Sequence, residues 1–159
     1  MPGVGKSTIG RRVARELGWS FIDLDHEIER QAGCSITAFF SNRGEASFRD
    51  LEAQVLRQCV ASATSVLATG GGAVLRADNR QLLRGATRCV YLRATPEFLW
   101  ARLKHDRRRP LLQGGNAKER LWHMALQRDP LYVLAAQHVI DVEPLTLSMT
   151  VQAICARLG

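Results

Sequence analysis

Apolar residues recur at helical spacing in several parts of the chain. In the first of these, Ile9, Val13 and Leu17 share one helical face, and Gly18 follows where helices commonly end. This pattern predicts an amphipathic helix over Lys6–Leu17. The same spacing predicts helices over 26–32, 48–59 and 147–158, one that is capped by Asp78 and runs to Arg84, and one that begins at Thr95 with a proline in its first turn.

Short apolar runs lie between these helices. The runs at 21–24, 65–69, 89–92 and 138–142 have the length of buried strands. Strands that alternate with helices predict an α/β fold of three layers, α/β/α, in which helices cover both faces of a parallel sheet. The sequence contains no repeat and no linker, so we expect one domain over residues 1–159.

The composition is that of an ordinary globular protein. Of the 159 residues, 46% are hydrophobic and 23% are charged, which argues against disorder and collagen-like structure. No apolar run approaches the roughly 20 residues that a membrane span needs, and the N-terminus lacks the pattern of an export signal. We therefore expect a cytoplasmic protein without membrane association.

Basic residues outnumber acidic ones. The sequence holds 22 lysines and arginines, 19 of them arginines, against 15 aspartates and glutamates, a formal net charge of +7. This excess suits anionic partners such as nucleotides, carboxylates or nucleic acid, or it reflects an arginine-rich surface, and charge alone does not choose between them. The four cysteines, Cys34, Cys59, Cys89 and Cys155, lack metal-ligand spacing and are expected to be reduced thiols in the core.

A glycine-rich segment precedes the first predicted helix. Residues 3–8 have the sequence GVGKST, the end of the phosphate-binding pattern G-x-x-x-x-G-K-[ST]. Glycines let backbone N–H groups wrap a phosphate, and the helix N-terminus adds a positive dipole. Lys6 would neutralise the β- and γ-phosphates, and the Ser7 hydroxyl would bind Mg²⁺. A chance match at a helix start is the alternative, and the amphipathic helix that follows argues against it.

The phosphate-binding pattern is incomplete in this sequence. Its first glycine would fall one position before Met1, and the strand that leads into such a loop is absent. Because that strand usually lies in the middle of the sheet, we expect the first, central strand to be missing. We hypothesise that a longer reading frame encodes an apolar strand ending in glycine upstream of Met1.

Two acidic residues lie at the end of the first predicted strand. Asp23 and Asp25 would lie on the same side of an extended segment, at the sheet edge where α/β proteins bind their ligands. One carboxylate could serve a metal ion, and the other could accept a proton from an attacking hydroxyl. Alternatively, Asp25 caps the helix that begins at His26.

Two further motifs suit a small anionic ligand. Arg49 and Glu52 share a helical face, so the carboxylate would orient the guanidinium toward a substrate carboxylate, and a weak surface ion pair is the alternative. Gly70, Gly71 and Gly72 follow the second predicted strand and indicate close approach of a ligand or of another chain segment. A flexible turn explains three glycines less well, since two residues would suffice to turn.

The order of these motifs resembles that of the shikimate kinase family, in the group of P-loop kinases related to nucleoside-monophosphate kinases. The resemblance extends from Gly3 to about Asp141. It rests on GVGKST at 3–8, Asp23-x-Asp25, Gly44-Glu45-x-x-Phe48-Arg49-x-x-Glu52, Gly70-Gly71-Gly72, Arg109-Pro110-Leu111 and Arg128-x-Pro130-Leu131-Tyr132.

The resemblance implies a reaction in which ATP, with Mg²⁺, phosphorylates the 3-hydroxyl of shikimate on the route to chorismate and the aromatic amino acids. Helices at about 25–62 would bind the acceptor. The acceptor side would use Asp25 for the hydroxyls and as base, Arg49 and Arg128 for the carboxylate, and the backbone of Gly70, Gly71 and Gly72 beside the ring.

On the nucleotide side, the resemblance implies a phosphate loop and a lid at about 105–117. The nucleotide would be bound by loop residues Gly3, Val4, Gly5, Lys6, Ser7 and Thr8, and Arg102 would stack on the adenine. Arg109 would reach from the lid to the transferring phosphoryl group. Ser7 and Asp23 would lie near the metal ion. Without the family, the stretch 107–116 is typical of a solvated basic loop.

Two other functions are compatible with these residues. One is a different small-molecule kinase of the same fold, such as a gluconate kinase, although paired arginines suit a compact ring acid better. The other is a ligand-sensing domain of a transcription regulator, although a sensor has no need of the proton acceptor Asp25. We expect a monomer that does not bind nucleic acid itself, because its arginines are interspersed with acidic residues.

Overall fold

The computed structural model describes residues 1–62, 64–104 and 116–158. Its helices are α1 (Lys6–Leu17), α2 (Leu24–Ala32), α3 (Ile36–Ala61), α4 (Ala77–Ala86), α5 (Pro96–Leu103), α6 (Ala117–Ala135) and α7 (Leu147–Leu158). Its strands are β1 (Ser20–Asp23), β2 (Ser65–Ala68), β3 (Val90–Arg93) and β4 (His138–Asp141), and a single 3₁₀ turn covers Ala73–Leu75.

The strands pair in parallel. β1 lies beside β2 with Ser20 opposite Ser65, and β3 lies beside β4 with Val90 opposite His138. Helices connect the strands along the chain, which confirms the predicted α/β fold with parallel strands. Over the described ranges, however, the strands form two separate pairs rather than one continuous sheet, and α1 is the first element.

Glycines and caps fix the helix ends where the sequence predicts them. α1 occupies the predicted residues, between Gly5 at φ 96° and Gly18 at φ 68°, two left-handed conformations that suit glycine. The Thr95 side chain accepts a hydrogen bond from the Phe98 amide at 3.3 Å, and Pro96 fills the first turn of α5. The local signals for these two helices are therefore confirmed.

Other boundaries differ from the predictions. α2 begins two residues earlier than predicted, at Leu24, because Asp23 acts as its N-cap and accepts a bond from the Asp25 amide. α4 begins at Ala77, so Asp78 lies inside its first turn and is not the cap. α3 has 26 residues with a kink at Gly44, where φ is 76°. The sequence analysis did not predict α6.

Buried apolar residues form three clusters in the described part of the chain. One joins the N-terminal loop to β3, α5 and α6, the second joins α2, α3 and α4, and the third joins α1, β4 and α7. The four cysteines are free thiols, as predicted, and Cys59 is buried in the second cluster.

The described residues cover only part of what two predictions concern, the lid and the lack of membrane association. Residues 105–115, which include Arg109 and nearly all of the predicted lid, lie outside the described residues. Among the helices that are described, none combines the length and the apolar character that crossing a membrane requires.

Leu56 provides a test of the second cluster. Its side chain is fully buried, whereas Leu126 on α6 is 74% exposed. We expect Leu56→Ala to lower the free energy of unfolding by about 2–5 kcal/mol, through lost burial and a residual cavity. Leu126→Ala should change it by less than about 0.5 kcal/mol. Urea unfolding followed by circular dichroism measures both, and equal losses would contradict the assignment of the core.

Candidate active site

The glycine-rich loop is held in a conformation that other residues adopt only with strain. Gly3 has φ 77°, and a Cβ there would lie 2.6 Å from the Leu103 side chain. Gly5 also has a positive φ, and the buried Val4 side chain between the two glycines anchors the loop. The loop therefore brings bare backbone to the N-terminus of α1, an arrangement that favours an anion.

Polar side chains at the start of α1 contact Met1 and the end of β1. The Lys6 ammonium donates to the Met1 carbonyl at 2.9 Å. The Ser7 hydroxyl donates to Asp23 Oδ2 at 2.6 Å, while Asp23 Oδ1 accepts from the Asp25 amide at 3.2 Å. One carboxylate thus connects the loop, the end of β1 and the start of α2.

The donor set of Ser7 and Asp23 fits a magnesium ion. Hydroxyl and carboxylate oxygens are the ligands that Mg²⁺ prefers, and it is usually held by one or two carboxylates together with substrate phosphates. In the described ranges, no cluster of three or more acidic, histidine or cysteine side chains could hold a metal ion alone.

The prediction for the backbone around Asp25 was wrong. Asp25 lies in the first turn of α2 rather than on an extended segment, and Asp23 takes the capping role that was the alternative for Asp25. The helix instead directs Asp25 to the glycine run, where a Cβ on Gly70 would lie 2.6 Å from Asp25 Oδ1. Asp25 is therefore packed directly against backbone that follows β2.

Arg49 is fixed by a buried partner. Its guanidinium donates to Glu52 at 2.7 Å and to Glu45 at 3.2 Å. The Glu52 side chain is only 2% exposed, which excludes the weak surface ion pair and confirms the predicted Arg49–Glu52 contact. Burial raises the pKa of the Glu52 carboxyl, the Arg49 charge opposes that shift, and the nearby Asp25 adds to it.

Tyr132 contacts the same backbone from α6. Its hydroxyl donates to the Gly71 carbonyl at 2.7 Å, and a Cβ on Gly71 would lie 3.7 Å from Arg128 Nη1. The Tyr132 ring stacks on Tyr91, with centroids 4.9 Å apart, and the Tyr91 hydroxyl donates to Asp129. Tyr132 is part of a sequence motif, but the sequence did not predict its role, because its contact is with residues far away along the chain.

Each glycine of the run 70–72 is explained by a different neighbour. A side chain on Gly70 would collide with Asp25, one on Gly71 would press on Tyr132, and one on Gly72 would overlap the Arg49 guanidinium. The three glycines thus allow close approach of other chain segments, as predicted, and the flexible-turn alternative is not needed.

The loop and the glycine run line a common cavity. Lys6, Gly70, Gly71 and Tyr132 line one cavity. Asp25, Arg49 and Arg128 lie against the glycine run 70–72, two residues of which share this cavity with Lys6. Such a site can hold a phosphorylated donor next to a small acid that carries hydroxyl groups.

The remaining predicted residues lie at the margin of this site or outside the description. Arg102 Nη2 would lie 3.9 Å from a Cβ on Gly5, and the guanidinium sits 5.4 Å from the Phe98 ring centroid. Thr8 is exposed in the first turn of α1. Arg109 lies in the segment that is not described. These positions leave the adenine role of Arg102 and the lid role of Arg109 as predictions.

Comparison with known proteins identifies the family. A family model of shikimate kinase matches residues 2–158. A shikimate kinase of Paracidovorax citrulli is 50% identical over 145 residues, which cover 90% of this chain and 79% of that protein. A shikimate kinase of Ralstonia nicotianae is 44% identical over 156 residues, which cover 98% of this chain and 82% of that protein.

Solved structures show the same similarity. The shikimate kinase of Acinetobacter baumannii in complex with shikimate superposes with a TM-score of 0.92 at 39% identity, and the match covers 98% of this chain and 87% of that one. The enzyme of Bacteroides thetaiotaomicron gives a TM-score of 0.90 at 32% identity, with 99% and 93% covered. The chain therefore belongs to the shikimate kinase family, as its motifs predict.

Proposed function

We propose that this chain transfers the γ-phosphoryl group of ATP to the 3-hydroxyl of shikimate and releases shikimate 3-phosphate. The observation that carries the proposal is the convergence of Asp25, Arg49 and Tyr132 on the backbone of 70–72, which lines one cavity with Lys6. Family membership supports it, as does the shikimate in the solved structure of the Acinetobacter baumannii relative.

The acceptor side would orient the acid and its hydroxyls. Arg49 and Arg128 would bind the shikimate carboxylate, with Glu52 holding Arg49 and with Arg128 lying beside Gly71. A guanidinium held by a carboxylate loses little further freedom when a ligand binds, which favours bidentate contact. Asp25 would hold the ring hydroxyls and accept the proton of the attacking 3-hydroxyl.

The nucleotide side would bind and orient the triphosphate. Backbone amides of the loop 3–8 and the Lys6 ammonium would hold the phosphates, because the loop leads into the N-terminus of α1. Ser7 and Asp23 would hold Mg²⁺, whose charge, when it is bound, offsets that of the phosphate oxygens. Arg109 would contact the transferring phosphoryl and Arg102 the adenine, as the family resemblance implies.

The combination of a proton acceptor and a phosphate cradle favours an enzyme over a ligand sensor. Asp25 lies against Gly70, and Gly70 lines the same cavity as Lys6. A sensor needs neither Asp25 nor Lys6 to bind an acid. We expect the enzyme to act in the cytoplasm, where ATP is available. We also expect a monomer, because the proposed site is built from one chain.

A coupled assay of ADP release tests the proposed reaction. Shikimate should support turnover, whereas gluconate, which lacks the compact ring, should support less than about 1% of it, equivalent to about 2.7 kcal/mol of discrimination. Equal turnover with gluconate would refute the substrate, and no turnover with either acid, in a protein shown to be folded, would refute the proposed activity.

Substitution of Asp25 tests whether this residue accepts the proton. We expect Asp25→Asn to lower kcat by about 100- to 10,000-fold, because an amide cannot accept the proton, while KM for ATP stays within about twofold. Asp50→Asn is the matched control, since Asp50 is exposed and pairs with Arg76 on the surface. An equal loss of ATP binding in Asp25→Asn would show that Asp25 acts at the metal site and not as the proton acceptor.

Arg49 tests the carboxylate contact. Arg49→Ala removes a charged hydrogen-bond donor, so KM for shikimate should rise by about 10- to 100-fold and kcat should change far less. Arg57→Ala, on the exposed part of the same helix, controls for loss of positive charge. An unchanged KM for shikimate in steady-state kinetics would show that Arg49 does not bind the carboxylate.

Glu52 tests how Arg49 is held. Its carboxyl has a raised pKa, so in the wild type KM for shikimate should increase as pH falls through that pKa, when the neutral acid releases Arg49. Glu52→Gln should raise KM by about 3- to 30-fold at neutral pH and abolish this pH-dependent step. An identical pH profile of KM in both proteins would show that Glu52 does not position Arg49.

A further inference from the structure

Arg128 and Tyr132 lie about one turn apart on α6 and approach the glycine run at the same point. A Cβ on Gly71 would lie 3.3 Å from the Tyr132 hydroxyl oxygen and 3.7 Å from Arg128 Nη1. Residues four apart share a helical face, so α6 itself holds the two polar groups side by side. The proposed function gives Arg128 the substrate carboxylate but assigns no role to Tyr132.

The Tyr132 hydroxyl donates to one partner and accepts from the other. Its single proton goes to the Gly71 carbonyl oxygen at 2.7 Å. A hydroxyl that has donated its proton offers only lone pairs, which suit the N–H donors of a guanidinium. The hydrogen bonds therefore run in one direction, from Arg128 to the Tyr132 oxygen and from Tyr132 to Gly71.

The partner of Arg128 is a neutral group. Burial raises the pKa of the Tyr132 hydroxyl, and the charge and hydrogen bond of Arg128 only oppose that shift, so the hydroxyl keeps its proton at neutral pH. Arg49, by contrast, is held by the Glu52 carboxylate at 2.7 Å. A neutral partner orients a guanidinium without cancelling its charge, so the attraction for an anion is retained.

The Tyr132 ring is itself held in place. It is 7% exposed and stacks on Tyr91, a residue of β3, with centroids 4.9 Å apart and an angle of 27° between the ring planes. The Tyr91 hydroxyl donates to Asp129 Oδ1 at 2.7 Å, which ties β3 to the same turn of α6. The stack gives the Tyr132 hydroxyl a fixed position, so Arg128 meets its acceptor at one place.

The bond from Tyr132 also completes the hydrogen bonding of the glycine run. The carbonyls of Gly70 and Gly72 accept from amides three residues further along the turn, at 3.2 and 3.0 Å. The Gly71 carbonyl accepts from Tyr132 instead. Because the peptide unit is planar, fixing this carbonyl also fixes the direction of the next N–H group.

We propose that Tyr132 is a positioning residue for the acid: its hydroxyl holds the Arg128 guanidinium, with its charge intact, at a fixed place beside the Gly71 backbone. The role rests on the proposed function, in which Arg128 binds the shikimate carboxylate. Tyr132 acts through its two partners and does not itself need to touch the acid. The alternative role is structural, a bond that only ties α6 to the segment after β2.

Single substitutions measure the effect of the hydroxyl. Tyr132→Phe should raise the Kd for shikimate, measured by calorimetry without nucleotide, about 5- to 50-fold, because Arg128 loses its acceptor. The KM for shikimate should rise in parallel, while kcat stays within about threefold. Tyr91→Phe is the matched control, since it removes the other hydroxyl of the same stacked pair and its 2.7 Å bond. It should leave both Kd and KM within about twofold.

A double-mutant cycle separates positioning from a structural role. In an Arg128→Ala background, Tyr132→Phe should change the Kd for shikimate by less than about twofold, because the arginine through which it acts is absent. A bond with only a structural role would lower the thermal midpoint of unfolding and either leave Kd unchanged or raise it equally in both backgrounds.

Two results would overturn the role of Tyr132 alone. These are an unchanged Kd in Tyr132→Phe, and a rise in Kd that is the same with and without Arg128. Failure of the proposed function gives a different result, in which the unaltered, folded chain neither binds shikimate nor releases ADP in its presence. That result would refute the proposed substrate and the role of Tyr132 together.

Discussion

The backbone of residues 70–72 is the surface on which the site is assembled. Three helices direct polar side chains onto it, among them Asp25 from α2, Arg49 from α3 and Tyr132 from α6. A Cβ on Gly70 or Gly72 would overlap Asp25 or Arg49, and one on Gly71 would crowd Tyr132. The bare main chain at the end of β2 therefore allows these side chains to approach closely.

Burial of the Arg49–Glu52 pair has a cost in free energy. Removing both charges from water is unfavourable, and a buried pair of this kind adds little to stability. Hydrogen bonds of 2.7 and 3.2 Å and the Phe48 ring, 5.1 Å from the guanidinium, hold the charge in one orientation. A small acid that must present one particular hydroxyl requires such a fixed direction, even where the fold gains no stability from it.

Local signals in the sequence were sufficient where neighbours along the chain determine structure. The stripe of Ile9, Val13 and Leu17 ending at Gly18 predicted α1 to the residue. α6 was missed because it contains Pro130 and has no clear apolar stripe, so contacts across the fold stabilise it. The boundary of α2 was misplaced since Asp23 and Asp25 are equally good caps by residue type.

The candidate site was predictable by residue identity but not by contact. The sequence motifs predicted Asp25, Arg49 and the glycine run 70–72 as site residues, and the structure brings them together. Which side chain meets which glycine depends on the packing of α2, α3 and α6, which no local pattern encodes. The role of Tyr132 and the burial of Glu52 follow from the same long-range packing.

Asp23 has a consequence that extends across the whole site. One of its oxygens receives the Ser7 hydroxyl at the start of α1, and the other caps α2, the helix that carries Asp25. If the proposed magnesium ion binds this carboxylate, the same residue that caps the helix carrying Asp25 would also be a metal ligand. Binding of the nucleotide and alignment of the acid would then be coupled through a single side chain.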